Sequence, residues 1–195
     1  MRFYRWHVLF TILVIIALVF VFNGMKRSDD ADLRIAFVAD TYANTQNFKA
    51  NGSELELLLR DADENGKREL MIESFYFDNA SERAKKLELL IDEDKWDLYI
   101  ADKEAFMSVE NKNGFIEANY LPQSGVEVDT LEDENGRIYA ASIKGNTIIK
   151  RLGIYEADNL YIAPALGKEK EPSKFRKNGR NICYYVLENR EKYLK

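Results

Sequence analysis

The sequence predicts an α/β protein: one layered lobe of helices on a largely parallel sheet, preceded by an N-terminal transmembrane helix. Three observations predict it. Residues 8–22, VLFTILVIIALVFVF, hold one polar residue, Thr11. Apolar runs at 33–40, 69–77 and 96–102 alternate with helical patterns, and such alternation argues for a parallel sheet covered by helices. Past residue 125 the chain reads as two alternating runs around Asn135-Gly136, a hairpin signal.

The N-terminal stretch comes first. Fifteen helical residues span roughly 22 Å, short of a hydrocarbon core of about 30 Å. Extension back to Phe3 adds Tyr4 and Trp6, which suit the membrane–water interface, while Arg5 and His7 can snorkel to the headgroups. Residues 3–22 are then long enough to span. We read residues 1–27 as an uncleaved signal-anchor. A cleaved signal peptide is the alternative, although Phe22-Asn23-Gly24 offers no small-x-small site. A buried core helix is a third reading, disfavoured further. Arg2 and Arg5 nearly balance Lys26, Arg27 and Arg34, so the positive-inside rule barely orients the segment. A short tail before a long following domain favours a single-pass cell-membrane protein with residues 28–195 extracytoplasmic.

Residues 28–32 form a polar linker, and 33–195 make up the lobe. LRIAFVAD (33–40) reads as a strand buried on both faces. Ser53 and Glu56 make a capping box, predicting a helix over about 54–64 that Asn65-Gly66 stops. ELMIESFYF (69–77) is the second strand. Asp78 or Asn79 caps a helix whose apolar stripe is Ala84, Leu87, Leu90 and Ile91. WDLYIAD (96–102) is the third strand, followed by a short helix with Phe106 and Val109 that ends near Gly114. An antiparallel excursion covers 126–143. Helical turns at 147–152 end at Gly153, NLYIAPA returns as a strand, and Ile182 to Tyr193 forms a terminal helix.

Composition excludes several chemistries. The formal charge is −5, and beyond residue 27 the chain carries 24 basic against 33 acidic residues, a net −9. That acidity argues against nucleic acid as a partner. The one histidine, His7, lies in the N-terminal segment, so histidine bases, triads and histidine-ligated metals are excluded from the lobe. A single cysteine, Cys183, excludes an internal disulfide and a zinc cluster. There is no glycine fingerprint after the first strand, no P-loop and no G-x-S-x-G. No cofactor is therefore expected.

Three stretches carry a resemblance. They are LRIAFVADTYAN; the strand–turn–helix unit WDLYIADKEAFMSVENKNGFIEANYLP; and ENGRIYAASI, followed by the return LGIYEADNLYIAPALG. In this order they resemble the first lobe of an extracytoplasmic, ABC-type solute-binding protein. Ser142 stands where that family has proline. The resemblance implies a three-layer α/β lobe of the periplasmic-binding-protein-like type. It further implies a non-catalytic binding module whose partner is a small solute or a membrane permease. The chain is long enough for one lobe of the two such proteins have. A single lobe presents half a cleft, or acts as a solute receptor by dimerising or docking on a permease. A small hydrolase using acidic residues is a weaker alternative.

In an open α/β sheet, ligands sit beyond the carboxyl ends of the strands. The polar residues there are Asp40, Thr41 and Tyr42 after the first strand, Asp78 and Asn79 after the second, and Asp102 and Lys103 after the third. They are the expected binding residues; capping and turn-making are the plainer roles open to them. Asp40 and Asp102 also invite a receiver-like reading, but Asp40 is followed by Thr41 rather than a second acid. DADENG (61–66) imitates the opening of an EF-hand loop, yet position 12 is Ile72; it reads as a helix C-cap and solvated turn. The basic residues between Lys168 and Arg180 read as a solvated loop. Asn51-Gly52-Ser53 and Asn79-Ala80-Ser81 match the glycosylation sequon.

Overall fold

Leu33–Ala39, every residue of it buried, forms strand β1, an interior strand of the sheet. The computed structural model describes residues 31–41, 52–110, 128–154, 158–166 and 172–188. Around β1 come α1 (Ser53–Glu56), β2 (Leu70–Tyr76), α2 (Ala80–Glu93), β3 (Leu98–Asp102) and α3 (Lys103–Met107). Then follow β4 (Thr130–Glu132), β5 (Ile138–Ser142), α4 (Thr147–Arg151), β6 (Leu160–Pro164) and α5 (Lys174–Glu188). The anchor expected over residues 3–22 lies outside the described residues. Among the described residues no helix is long and apolar enough to cross a membrane.

The six strands form one mixed sheet in the order β2-β1-β3-β6-β5-β4. β1 is parallel to both β2 and β3, whereas β6 runs antiparallel to β3 and to β5, and β4 antiparallel to β5. The parallel run expected from the alternation is thus confined to β2-β1-β3. The Asn135-Gly136 hairpin supplies the antiparallel edge.

Strand alternation sorts the core into two layers. Leu33, Ile35 and Phe37 of β1, Leu98 and Ile100 of β3, and Ile162 of β6 face a cluster closed by Leu55, Ile148, Ile149, Ile182 and Val186. Ala36, Val38, Tyr99 and Ala101 face the other side, under Leu87 and Leu90 of α2 and Phe106 of α3. Helices therefore cover both faces of the sheet.

Three expectations need correction. The short helix expected to reach Val109 and end near Gly114 stops at Met107, with Ser108 as its C-cap. The helix expected over 54–64 stops at Glu56. The Asn178 amide captures the Arg60 backbone instead: Arg60 N donates to Asn178 Oδ1 at 2.9 Å, and Arg60 O accepts from Nδ2 at 2.8 Å. Those groups are no longer available for helical bonds. The terminal helix begins at Lys174 rather than Ile182. Its first turns look like a solvated loop because they are polar, but Arg176, Asn178 and Gly179 are buried against distant partners. Arg176 Nη2 reaches Asp94 Oδ1 at 2.7 Å. Residues past Glu188 lie outside the described set.

Candidate functional site

Register brings the parallel strand ends out along one edge. Ala39 pairs with Tyr76 on one side, and Val38 with Ala101 on the other. Asp40 and Thr41, Asp78 and Asn79, and Asp102 and Lys103 therefore emerge side by side. Tyr42 lies outside the described residues. The antiparallel β6 starts at this edge, since Asp102 pairs with Leu160, and β5 ends there, since Ser142 pairs with Tyr161.

Each residue then has its own environment. Asp40 and Asp78 are exposed and Thr41 is half-buried; the Tyr76 phenol donates to Asp78 Oδ1. Asn79 caps α2, accepting from Ser81 N at 2.8 Å. Asp102 is buried and doubly committed. Its Oδ1 accepts from Ala105 N at 3.0 Å to cap α3, and its Oδ2 lies 2.5 Å from Arg83 Nε. Half-buried Lys103 sets its Nζ 5.9 Å from the centroid of the Tyr161 ring. Asp102 and Asn79 thus perform the capping role, while Asp40 and Asp78 remain presented to solvent and Lys103 stays half-buried.

Arg83 organises the edge from behind. It is 5% exposed, and its Nη1 donates to Phe77 O at 2.8 Å and to Asp78 O at 2.9 Å. The Glu104 carboxylate lies 3.7 Å from Nη2. One guanidinium thereby joins the ends of β2 and β3. Sequence reading missed it, although a signal existed: positions 83, 87 and 90 share the buried stripe of α2. An arginine in an apolar stripe implies a buried acidic partner.

The far half of the edge adds residues from the hairpin. The Tyr161 phenol donates to Asp129 Oδ2 at 2.5 Å. Burial first, and then this bond to Asp129, push the phenol far above its ordinary range. Ser142 N donates to Asp129 O at 2.8 Å. A proline at 142 has no N–H to make that bond. Exposed Asp40, Asp78, Glu104 and Asp129 outnumber Lys103 and exposed Lys144 along the edge, so its field favours cations and hydrogen-bond donors.

The DADENG turn is a separate feature at the opposite end of the strands. Asp32, Asp61 and Asp63 bring one carboxylate oxygen each to within 4.8 Å of one another. These carboxylates accept backbone bonds: Asp32 from Ala62 N (2.5 Å) and Glu69 N (3.0 Å), and Asp61 from Asn65 N (3.1 Å) and Gly66 N (2.8 Å). The turn caps itself, five residues beyond the end of α1, so the C-cap expected here does not form. Asp32 could not have been associated with it from sequence spacing. Cys183 is fully buried, and burial pushes its thiol far up, away from the reactive thiolate. No protein-family model matches this chain, and no curated protein or solved structure matches it.

Proposed function

We propose that this chain is a membrane-anchored, extracytoplasmic binding module. Residues 3–22 hold it in the membrane, and the lobe is built like one lobe of an ABC-type solute-binding protein. It works without catalysis, presenting its strand-end edge as a half-site to a small solute or a membrane permease. The observation that carries this reading is the division of labour among the strand-end acids. Arg83 neutralises Asp102, and Asp102 fixes the frame. Asp40 and Asp78 flank that frame exposed.

The path of the chain supports the same reading. After the hairpin, β6 re-enters the sheet antiparallel between β3 and β5, the return into one lobe that the resemblance implies. The buried thiol and the lack of histidine beyond His7 leave the lobe no residue for thiol or histidine catalysis.

The test is thermal-shift measurement on the full chain in detergent, against amines, amino acids, sugars, short peptides and divalent cations. A solute that binds the folded state raises the melting temperature by mass action. We expect a shift with a cationic or donor-rich solute, and its loss in Asp40→Asn/Asp78→Asn. If the edge serves a permease alone, no solute shifts the wild type, and a membrane protein co-purifies in a manner lost in the same variant. No shift and no variant-sensitive partner contradict the reading.

A further inference from the structure

The tetrapeptide Asp-Glu-Asn-Gly occurs twice, at 63–66 and 133–136, each time followed by a basic residue. The two copies build similar turns. Both glycines have positive φ, 83° at Gly66 and 73° at Gly136. Both leading aspartates accept from the asparagine N–H, Asp63 Oδ1 from Asn65 at 3.1 Å and Asp133 Oδ1 from Asn135 at 2.9 Å.

The asparagine side chains differ. Asn65 Nδ2 donates to Asp63 Oδ2 at 2.8 Å, and its Oδ1 accepts from Lys67 N at 2.8 Å. The following N–H, of Gly66, donates to the Asp61 carboxylate at 2.8 Å. Asn135 is exposed at the hairpin tip. Among the described residues none hydrogen-bonds its side-chain amide. The Gly136 N–H donates to a neutral acceptor, Asp133 O, at 2.9 Å.

We propose that Asn135 is a site of spontaneous deamidation, and that Asn65, in the same tetrapeptide, is protected by its hydrogen bonds. The reacting nitrogen is Gly136 N, which attacks Asn135 Cγ. An N–Cγ bond forms and the Cγ–Nδ2 bond breaks. The amide nitrogen leaves as ammonia with the proton that Gly136 N gives up. Water then opens the cyclic imide at either carbonyl, yielding aspartate or isoaspartate. Glycine has no Cβ to obstruct the approach.

At Asn65 the same step is opposed twice. The amide must abandon two hydrogen bonds before it can turn. The attacking nitrogen gains negative charge while facing the Asp61 carboxylate, which disfavours that charge. In the hairpin the nearby Asp133 carboxylate is answered by Arg137 Nε at 2.6 Å. Reaction at Asn135 adds a carboxylate beside Glu132, Asp133 and Glu134. The isoaspartate form also lengthens the turn that sets the β4–β5 register.

The test is peptide mass mapping of the full chain after incubation at mildly alkaline pH, with isoaspartate forms separated by retention. Acid forms at 135 should accumulate roughly thirty-fold faster than at 65, as expected for two retained hydrogen bonds. The two rates should converge in urea, where neither turn survives. Asp63→Ala, which removes the acceptor of the Asn65 amide, should accelerate reaction at 65 in the folded protein. Asn178-Gly179, with both side-chain amide atoms of Asn178 bonded to the Arg60 backbone, should stay intact until the protein unfolds. Equal rates at 65 and 135 in the folded protein overturn the proposal, as does an Asn65 rate unmoved by Asp63→Ala. The pairs beginning at Asn23, Asn51 and Asn113 lie outside the described residues.

Discussion

Asn178 and Arg60 stand 118 residues apart, and the side-chain amide of the first closes both backbone groups of the second. The amide behaves like a piece of neighbouring strand. Its Nδ2 also reaches Asp32 O at 3.1 Å. One buried side chain thus ties α5, the segment after α1 and the chain just before β1. Asn178→Ala leaves three backbone groups without this partner. We expect a loss of about 2–4 kcal/mol in urea unfolding, with Asn178→Asp nearly as damaging because it cannot donate to Arg60 O.

Next to it, Gly179 brings α5 hard against the backbone just before β3. A Cβ there would clash with Asp97 O and lie 2.9 Å from Asp97 C, both backbone atoms that cannot swing aside. Gly179→Ala should therefore destabilise by about 1–3 kcal/mol through overpacking, against the helix-propensity gain alanine usually brings. Calorimetric melting of the single variant checks this; a melting temperature equal to or above the wild type would refute the close packing.

The Arg83–Asp102 pair is buried on both sides. Removing one partner strands the other charge, so Asp102→Ala and Arg83→Met should each cost about 3–5 kcal/mol. The double variant should cost clearly less than the sum of the two. Denaturant titrations of the four proteins measure the coupling, and strict additivity would deny the pair.

Two turns rest on carboxylates held below their ordinary range. At Asp133 the Arg137 backbone N–H lowers the carboxyl most, burial opposes it, and the Arg137 side chain adds to the lowering. At Asp61 burial pushes upward, and hydrogen bonds from Gly66, Asp63, Glu64 and Asn65 outweigh it. A folded value below the unfolded one means stabilisation present above the ordinary aspartate range and lost as pH falls through the folded value. Stability should therefore decline on acidification below about pH 4. Asp133→Asn should flatten that decline.

Cys183 provides an internal reporter. With the thiol wholly buried, alkylation should proceed only through unfolding, and its rate should rise in the Asn178 and Gly179 variants in proportion to the open population.

Much of the frame was legible in the sequence, because strand runs such as LRIAFVA and LYIAD are apolar on both faces and need no distant information. The hairpin was legible because Asn135-Gly136 supplies a positive φ locally. What was not legible depended on partners far along the chain. The early end of α1 is decided by Asn178, and the early start of α5 by Asp94, which holds Arg176. At the candidate site, the placement of Asp40, Asp78 and Asp102 along one edge followed from strand order alone. Their differing roles did not, since only folding shows that Arg83 sits behind Asp102 and leaves the other two exposed.

The most direct test of the binding-edge account is site-specific photo-crosslinking in intact membranes. Photoreactive residues would replace Asp40 and Asp78 on the edge, and exposed Lys85 of α2 and Lys177 of α5 away from it. The account predicts one common adduct from positions 40 and 78 and none from 85 and 177. Adducts from the helix positions alone, or no adduct from the edge together with no solute-induced melting shift, would contradict it.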